Sequence, residues 1–149
     1  METKNRKLVD RLEEILEKNR DGQKGYVKAA ENADSPQLQS YFRRKSTDRM
    51  QFNEALKREL VATYDEIDDD GSFTGTIHRA WMDIKSLFGS SDKSMLEEAI
   101  RGDKAAVKEY EEVLKEEALP MRVATIIREQ QMKIRTDLNN IKTLEDLKE

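Results

Sequence analysis

The sequence predicts an all-α fold, a four-helix bundle with one long crossover connection carrying a short helix. Apolar residues recur in steps of three and four over four long stretches, the period of one buried helix face. Stop and start signals separate the stretches, and both prolines, Pro36 and Pro120, stand at a stretch's beginning. The connections run short, long, short.

The first helix is expected over about 4–33, with Leu8, Leu12, Ile15, Asn19, Gly22, Tyr26, Ala30 and Ala33 on its inward stripe. Asp34-Ser35-Pro36 ends it. Ser35 can cap the next helix, and Pro36 suits the first helical position, where its missing N–H costs nothing. The second helix, about 36–66, carries Leu38, Phe42, Ser46, Arg49, Phe52, Asn53, Leu56 and Leu60, and an acidic turn, Asp68-Asp69-Asp70-Gly71, closes it. A shorter helix is expected over about 73–88, broken by Gly89-Ser90-Ser91-Asp92. The third long helix, about 93–118, shows Leu96, Ile100, Asp103, Val107, Tyr110 and Leu114. Pro120 opens the fourth, about 120–141, with Val123, Ile127, Gln130, Ile134, Leu138 and Ile141. The tail beyond Lys142 is expected to form a short turn or to fray.

Connection lengths set the topology. Helices joined by only a few residues are antiparallel neighbours, which gives two hairpins. Between them lie about 25 residues with their own helix, enough at roughly 1.5 Å per helical residue to travel the length of the bundle. The second and third long helices should therefore run parallel. This is the ferritin-like arrangement; an up-down-up-down bundle is the alternative.

Composition narrows the functional classes. A chain of 149 residues suits a single domain spanning 1–149. It has no cysteine, which excludes disulfides, thiolate zinc sites and iron–sulfur clusters and fits a cytoplasmic, reducing location. The amino-terminal stretch METKNRKLVDRLEEILEK lacks a continuous apolar run, and no window is apolar enough to span a membrane. Charged residues make up 39% of the chain for a net charge of −4, the balance of long solvated helix faces. Arg43-Arg44-Lys45 is too short for a duplex-binding stripe and reads as a helix surface, so neither nucleic acid nor membrane is an expected partner.

A ferritin-like arrangement raises the question of metal. Its di-iron carboxylate centre takes a glutamate from each of two helices and a Glu-x-x-His pair from each of the other two. Here the lone histidine, His78, follows Gly75 at that spacing, and Glu-x-x-His occurs nowhere. His78 has no partner at ligand spacing; Asp83, five residues on, is poorly placed on a helix. The stretch from Glu66 to Gly71 imitates the start of a calcium loop, but the twelfth position, which demands a bidentate glutamate, is Ile77. There is no nucleophile–base motif and no glycine-rich phosphate loop. No cofactor and no catalytic residue are expected. Phe73, Trp81 and Phe88 on the crossover either pin that helix to the bundle or form a dimer contact.

The phrases DGQKGYVKAA, LQSYFRRKSTDRMQFNEALKREL, GSFTGTIHRAWMDIKSLF and AIRGDKAAVKEYEEVL resemble a bacterial ferritin-like family known only as a four-helix-bundle domain of unknown function. The resemblance covers about residues 5 to 141 and implies the same fold but no activity. A looser similarity to rubrerythrin-type helices allows one comparison. Where those helices carry metal ligands, this chain has Arg49 and Phe52 on the second helix and Asp103 after Gly102 on the third. Ile134 and Asp137 stand there on the fourth helix, and Asn19 and Gly22 on the first.

The function expected is that of a non-catalytic bundle, a structural or protein-interaction module acting alone, as a homodimer or with another protein. A role in stress physiology comes only by association with ferritin-like proteins. The alternative is a divergent metal-binding or redox protein using carboxylates such as Asp103 and Asp137. Asn19, Arg49, Asp103 and Gln130 each stand on an inward stripe near a helix midpoint, so a buried polar layer is expected there. Its expected ion pair is Arg49 with Asp103, Asp137 being the reserve partner; the competing expectation is that Arg49 reaches outward to solvent.

Overall fold

The computed structural model describes residues 2–65, 67, 81 and 90–148. The helix expected over 73–88, with Phe73, His78 and Phe88, lies outside the described residues except for Trp81, and so does the acidic turn at 68–71. Among the described residues there are four long helices, α1 (Glu2–Asn32), α2 (Pro36–Thr63), α3 (Asp92–Leu114) and α4 (Met121–Asn140), followed by a 3₁₀ turn at Leu144–Leu147.

The caps follow from the sequence. Ser35 Oγ accepts the Leu38 amide, and Pro36 begins α2. Ser91 Oγ accepts the Ser94 amide at the start of α3, with Asp92 in the first turn, where the helix dipole favours an anion. Two helices stop earlier than expected. α2 ends at Thr63 rather than near 66, and Tyr64 turns extended with its amide on Leu60 O. Continuing would have stacked Asp65, Glu66 and Asp68 on the negative end of the helix dipole; turning instead lets Ile67 bury against the bundle. α3 ends at Leu114 rather than 118. Pro120 bars Leu119 from helical geometry, and turn hydrogen bonds from the Lys115, Glu116 and Leu119 amides carry the chain to α4.

α1 packs on α2 and α3, and α4 packs on the same two. Side-chain pairs fix the directions. Arg11 meets Glu116, Lys18 meets Glu109 and Tyr26 meets Asp103, so α1 and α3 are antiparallel. Lys45 meets Asp137 and Gln130 meets the Phe52 carbonyl, so α2 and α4 are antiparallel too. The tight turn at 33–35 makes α1 and α2 antiparallel. Hence α2 and α3 run parallel across the bundle's diagonal, the ferritin-like arrangement. Asp92 fastens the ends by accepting the Asp34 and Ser35 amides at 2.8 and 2.9 Å.

The apolar core is divided in two. One cluster gathers Leu8, Leu12, Ile15 and Leu16 with Phe52, Leu56, Leu60, Tyr110, Val113, Val123 and Ile127. The other gathers Tyr26, Ala29 and Ala30 with Leu38, Phe42, Met95, Leu96 and Ala99. Full burial of each large aliphatic or aromatic side chain contributes roughly 1.5–3 kcal/mol. Between the clusters, at mid-bundle, the inward positions are polar.

Trp81 is used by the chain's own bundle. It is 5% exposed, stands edge-on to Tyr110 with centroids 5.8 Å apart, and donates its indole N–H to Glu109 Oε1 at 3.0 Å. Glu109 is held in turn by Lys18 at 2.6 Å, so α1 and α3 both grip this point of the crossover. Trp81→Ala should cost about 3–5 kcal/mol in urea unfolding while leaving the sedimentation mass unchanged. An unaltered melt would show that the indole does not brace the bundle.

Candidate functional site

The mid-bundle layer is built from the helix midpoints inward. Arg49 of α2 is 2% exposed although it carries the longest cationic side chain. Its Nη2 donates to Asp103 Oδ1 at 2.5 Å, and its Nη1 donates to Asn19 Oδ1 at 3.1 Å. Asp103 of α3 also accepts the Tyr26 hydroxyl at 2.9 Å and, through Oδ2, the Lys45 ammonium at 2.5 Å. Lys45 is 1% exposed and divides itself between two carboxylates, reaching Asp137 Oδ2 on α4 at 2.9 Å.

From this centre a hydrogen-bonded line runs in two directions. Inward, Asn19 Nδ2 donates to the Tyr110 hydroxyl at 3.0 Å, which donates to Gln130 Oε1 at 2.8 Å. Gln130 Nε2 then donates to the Phe52 carbonyl at 2.9 Å. Outward, Asp137 Oδ1 accepts Arg44 at 2.8 Å, and Arg44 also binds Asp48 at 2.8 Å. Lys133 meets Asp48 at 3.3 Å from the solvent side. All four long helices contribute, and opposite charges alternate along the outer arm.

Aromatic faces line the cations. Lys45 lies 5.7 and 5.9 Å from the Tyr26 and Tyr41 ring centres, and Arg49 lies 5.8 and 5.3 Å from those of Tyr26 and Trp81. These distances fall within the range of cation–π attraction, which strengthens where water is excluded. The same burial tunes the acids and bases. Burial raises the Tyr26 hydroxyl well above its ordinary pKa, the Asp103 charge adding to it. Burial likewise raises Tyr41, and pushes Tyr110 up to about 12. Burial opposes the charge on Arg49, but Asp103 outweighs it and the guanidinium is held above its ordinary value. Burial opposes the charge on Asp137 as well; Lys45 and Arg44 prevail and hold that carboxyl below its ordinary value.

Asn19, Arg49, Asp103, Gln130 and Asp137 are all buried. Asp137 is joined to Asp103 through Lys45 and makes no bond to Arg49; its direct partners are Lys45 and Arg44. The reading of Arg43-Arg44-Lys45 as a helix surface needs correction at its last residue. Arg43 is exposed and Arg44 is 45% exposed along its side chain, but Lys45 is core. The missed signal is the spacing Leu38, Phe42, Lys45, Arg49, Phe52, Leu56, which alternates steps of four and three without a break.

A di-metal carboxylate centre does not fit this layer. It would require carboxylate and imidazole lone pairs converging on an open space. Here both oxygens of Asp103 and both of Asp137 already accept hydrogen bonds from cationic side chains, and Lys45 and Arg49 bring their own positive charge. Among the described residues no group of three His, Cys, Asp or Glu could hold a metal ion. Nor is any described helix long and apolar enough to cross a membrane.

The chain belongs to the family described as Domain of unknown function (DUF2383), whose model matches residues 7–116. The match takes in Asn19, Lys45, Arg49 and Asp103; α4, with Gln130 and Asp137, follows it. No curated protein matches the chain.

Arg49→Ala should destabilise the fold by about 3–5 kcal/mol, because it strands a buried carboxylate. Equilibrium unfolding reads this directly, and parental stability would show that the layer carries little energy. Acid should weaken the same layer. Asp137 ionises more readily folded than unfolded, so its contribution is complete above the ordinary aspartate pKa of about 3.9. It is lost as pH falls through the lower folded value. The acid limb of a stability–pH curve should flatten in Asp137→Asn, and an unchanged limb would contradict the pairing. At the other extreme Tyr110 contributes stability that is whole below about pH 10 and lost as pH rises through about 12. Its ultraviolet titration step should therefore vanish from the high-pH region in Tyr110→Phe.

Proposed function

We propose that this chain is a non-catalytic helical bundle, a structural or protein-interaction module, whose centre is closed by its own side-chain charges. The reading rests on one observation: the two mid-bundle carboxylates, Asp103 and Asp137, are each bound by two cationic side chains. A ferritin-like carboxylate protein does its chemistry with metals at that level. In this chain the level is filled by Lys45 and Arg49, which neither accept electrons nor activate oxygen at a vacant coordination position. The remaining polar groups of the layer, Asn19, Gln130, Tyr26 and Tyr110, are amides and phenols already engaged in hydrogen bonds.

Elemental analysis after exhaustive dialysis, with melting curves in the presence of ferrous, manganous and zinc ions, tests the proposal. Metal well below one equivalent per chain and an unmoved melting temperature are expected. A full equivalent that survives dialysis and disappears in Asp103→Asn would overturn the proposal and favour a carboxylate-based metal or redox protein.

A further inference from the structure

The outer face of the α3–α4 hairpin carries a groove of about 480 Å³ lined by Ile100, Lys104 and Val107 from α3, by Arg135, Leu138 and Asn139 from α4, and by Lys142 just beyond the end of α4. Ile100, Val107 and Leu138 are partly buried; Ile100 packs on one apolar cluster, and Val107 and Leu138 on the other. They form an apolar floor directly outside the ion-pair layer. On α3 the lining runs from Ile100 to Val107, about 10 Å or two turns, and on α4 from Arg135 to Asn139, about one turn. The banks are cationic. Lys104 stands on one side and Arg135 and Lys142 on the other, all exposed. Among the described residues neither Lys104 nor Lys142 has a carboxylate at ion-pair distance, and Arg135 has only Glu111 at 3.6 Å. In a chain of net charge −4, three cations around an apolar floor are a local reversal of sign.

We propose that this groove docks an amphipathic helix of a partner protein, with an apolar seam that fills the floor and acidic residues on both flanks. The inference rests on the reading of the chain as an interaction module and names where the partner sits. Helix-in-groove recognition uses apolar anchors one to two turns apart, which is the length of this floor. Charge complementarity across a rim sets the choice of partner and the encounter rate, and here it selects acid. A second copy of the chain is a poor occupant, because a two-fold contact through this groove would face Lys104, Arg135 and Lys142 with themselves. An anionic bilayer is poorer still. The floor is recessed, the cations are fewer than the four to eight of a polybasic lipid-binding cluster, and the chain as a whole is acidic.

The test uses a stapled helical peptide of about 18 residues, with leucines every three to four positions and glutamates on both flanks, matched with a lysine-flanked version of the same seam. Fluorescence anisotropy against the whole protein should show saturable binding of the acidic peptide that weakens as salt is raised. Binding should fall at least tenfold in Lys104→Glu/Arg135→Glu, two exposed positions whose change should leave the melting temperature in place. The lysine-flanked peptide should not bind. No binding of the acidic peptide, equal binding of both peptides, or binding indifferent to the double substitution would overturn the proposal. So would loss, in that variant, of binding to phosphatidylserine vesicles or of a dimer seen in sedimentation, since either would assign the groove to a different occupant. Metal content is independent of all these readouts, so failure here is distinguishable from failure of the reading of the bundle centre.

Discussion

A carboxylate enclosed at the middle of a helical bundle has to be matched by positive charge within hydrogen-bond reach, and Asp103 is matched twice, by Lys45 and Arg49. Both cations come from α2, which lies diagonally across the bundle from α3. Only long side chains can cover that distance, and lysine and arginine are the longest that also carry charge. Taking any of these ions out of water alone would cost several kcal/mol, and their mutual attraction offsets that only with good geometry and filled hydrogen-bond positions. The layer meets the condition: Asn19 takes up a guanidinium N–H, Tyr26 adds a third donor to Asp103, and Asp137 shares the Lys45 ammonium.

The remainder of the architecture is arranged around this match. The apolar core stops on either side of it, as one cluster toward the Leu8 end and another toward the Ala33 end. Apolar contacts alone tolerate a slip of one helix along another, because leucines and valines exchange neighbours at modest cost. A layer in which Asn19, Lys45, Arg49, Asp103, Gln130 and Asp137 each bond to another helix does not tolerate it, since a slip of one turn would strand several buried polar groups at once. The ion pairs thus hold register, and the clusters supply most of the stabilisation. Tyr26, Tyr41 and Trp81 set their rings against the two buried cations. The crossover takes part through Trp81, which covers Arg49 and is clamped by Glu109 and Lys18.

Much of this was legible in the sequence because helical periodicity marks inward positions whatever their chemistry. Asn19, Arg49, Asp103 and Gln130 stand out as polar members of otherwise apolar stripes, and short–long–short connections imply that α2 and α3 are parallel. Lys45 fits the same period but is not singled out by it. A buried helix face is more than 100° wide, so Phe42 can be followed inward by either position 45 or position 46; the structure buries both Lys45 and Ser46. With Arg43 and Arg44 beside it, Lys45 looked like the end of a surface run. The helix ends at Thr63 and Leu114 escaped periodicity for another reason. They depend on dipole electrostatics and on the restriction Pro120 places on its predecessor, neither of which has a period. That Asp137 joins the layer through Lys45, and not through Arg49, required three-dimensional distances.

Lys45, Arg49, Asp103 and Asp137 act as one unit that holds the four helices together. A double-mutant cycle on Lys45→Met and Asp103→Leu, followed by urea unfolding at neutral pH, tests it most directly. Groups coupled in one buried network show interaction energies of about 0.5–3 kcal/mol. Each single variant should be strongly destabilised, and the double should recover at least about 2 kcal/mol of the summed loss. Losses that simply add, to within about 0.5 kcal/mol, would mean that the two charges are buried independently and that the layer is not what sets the bundle's register.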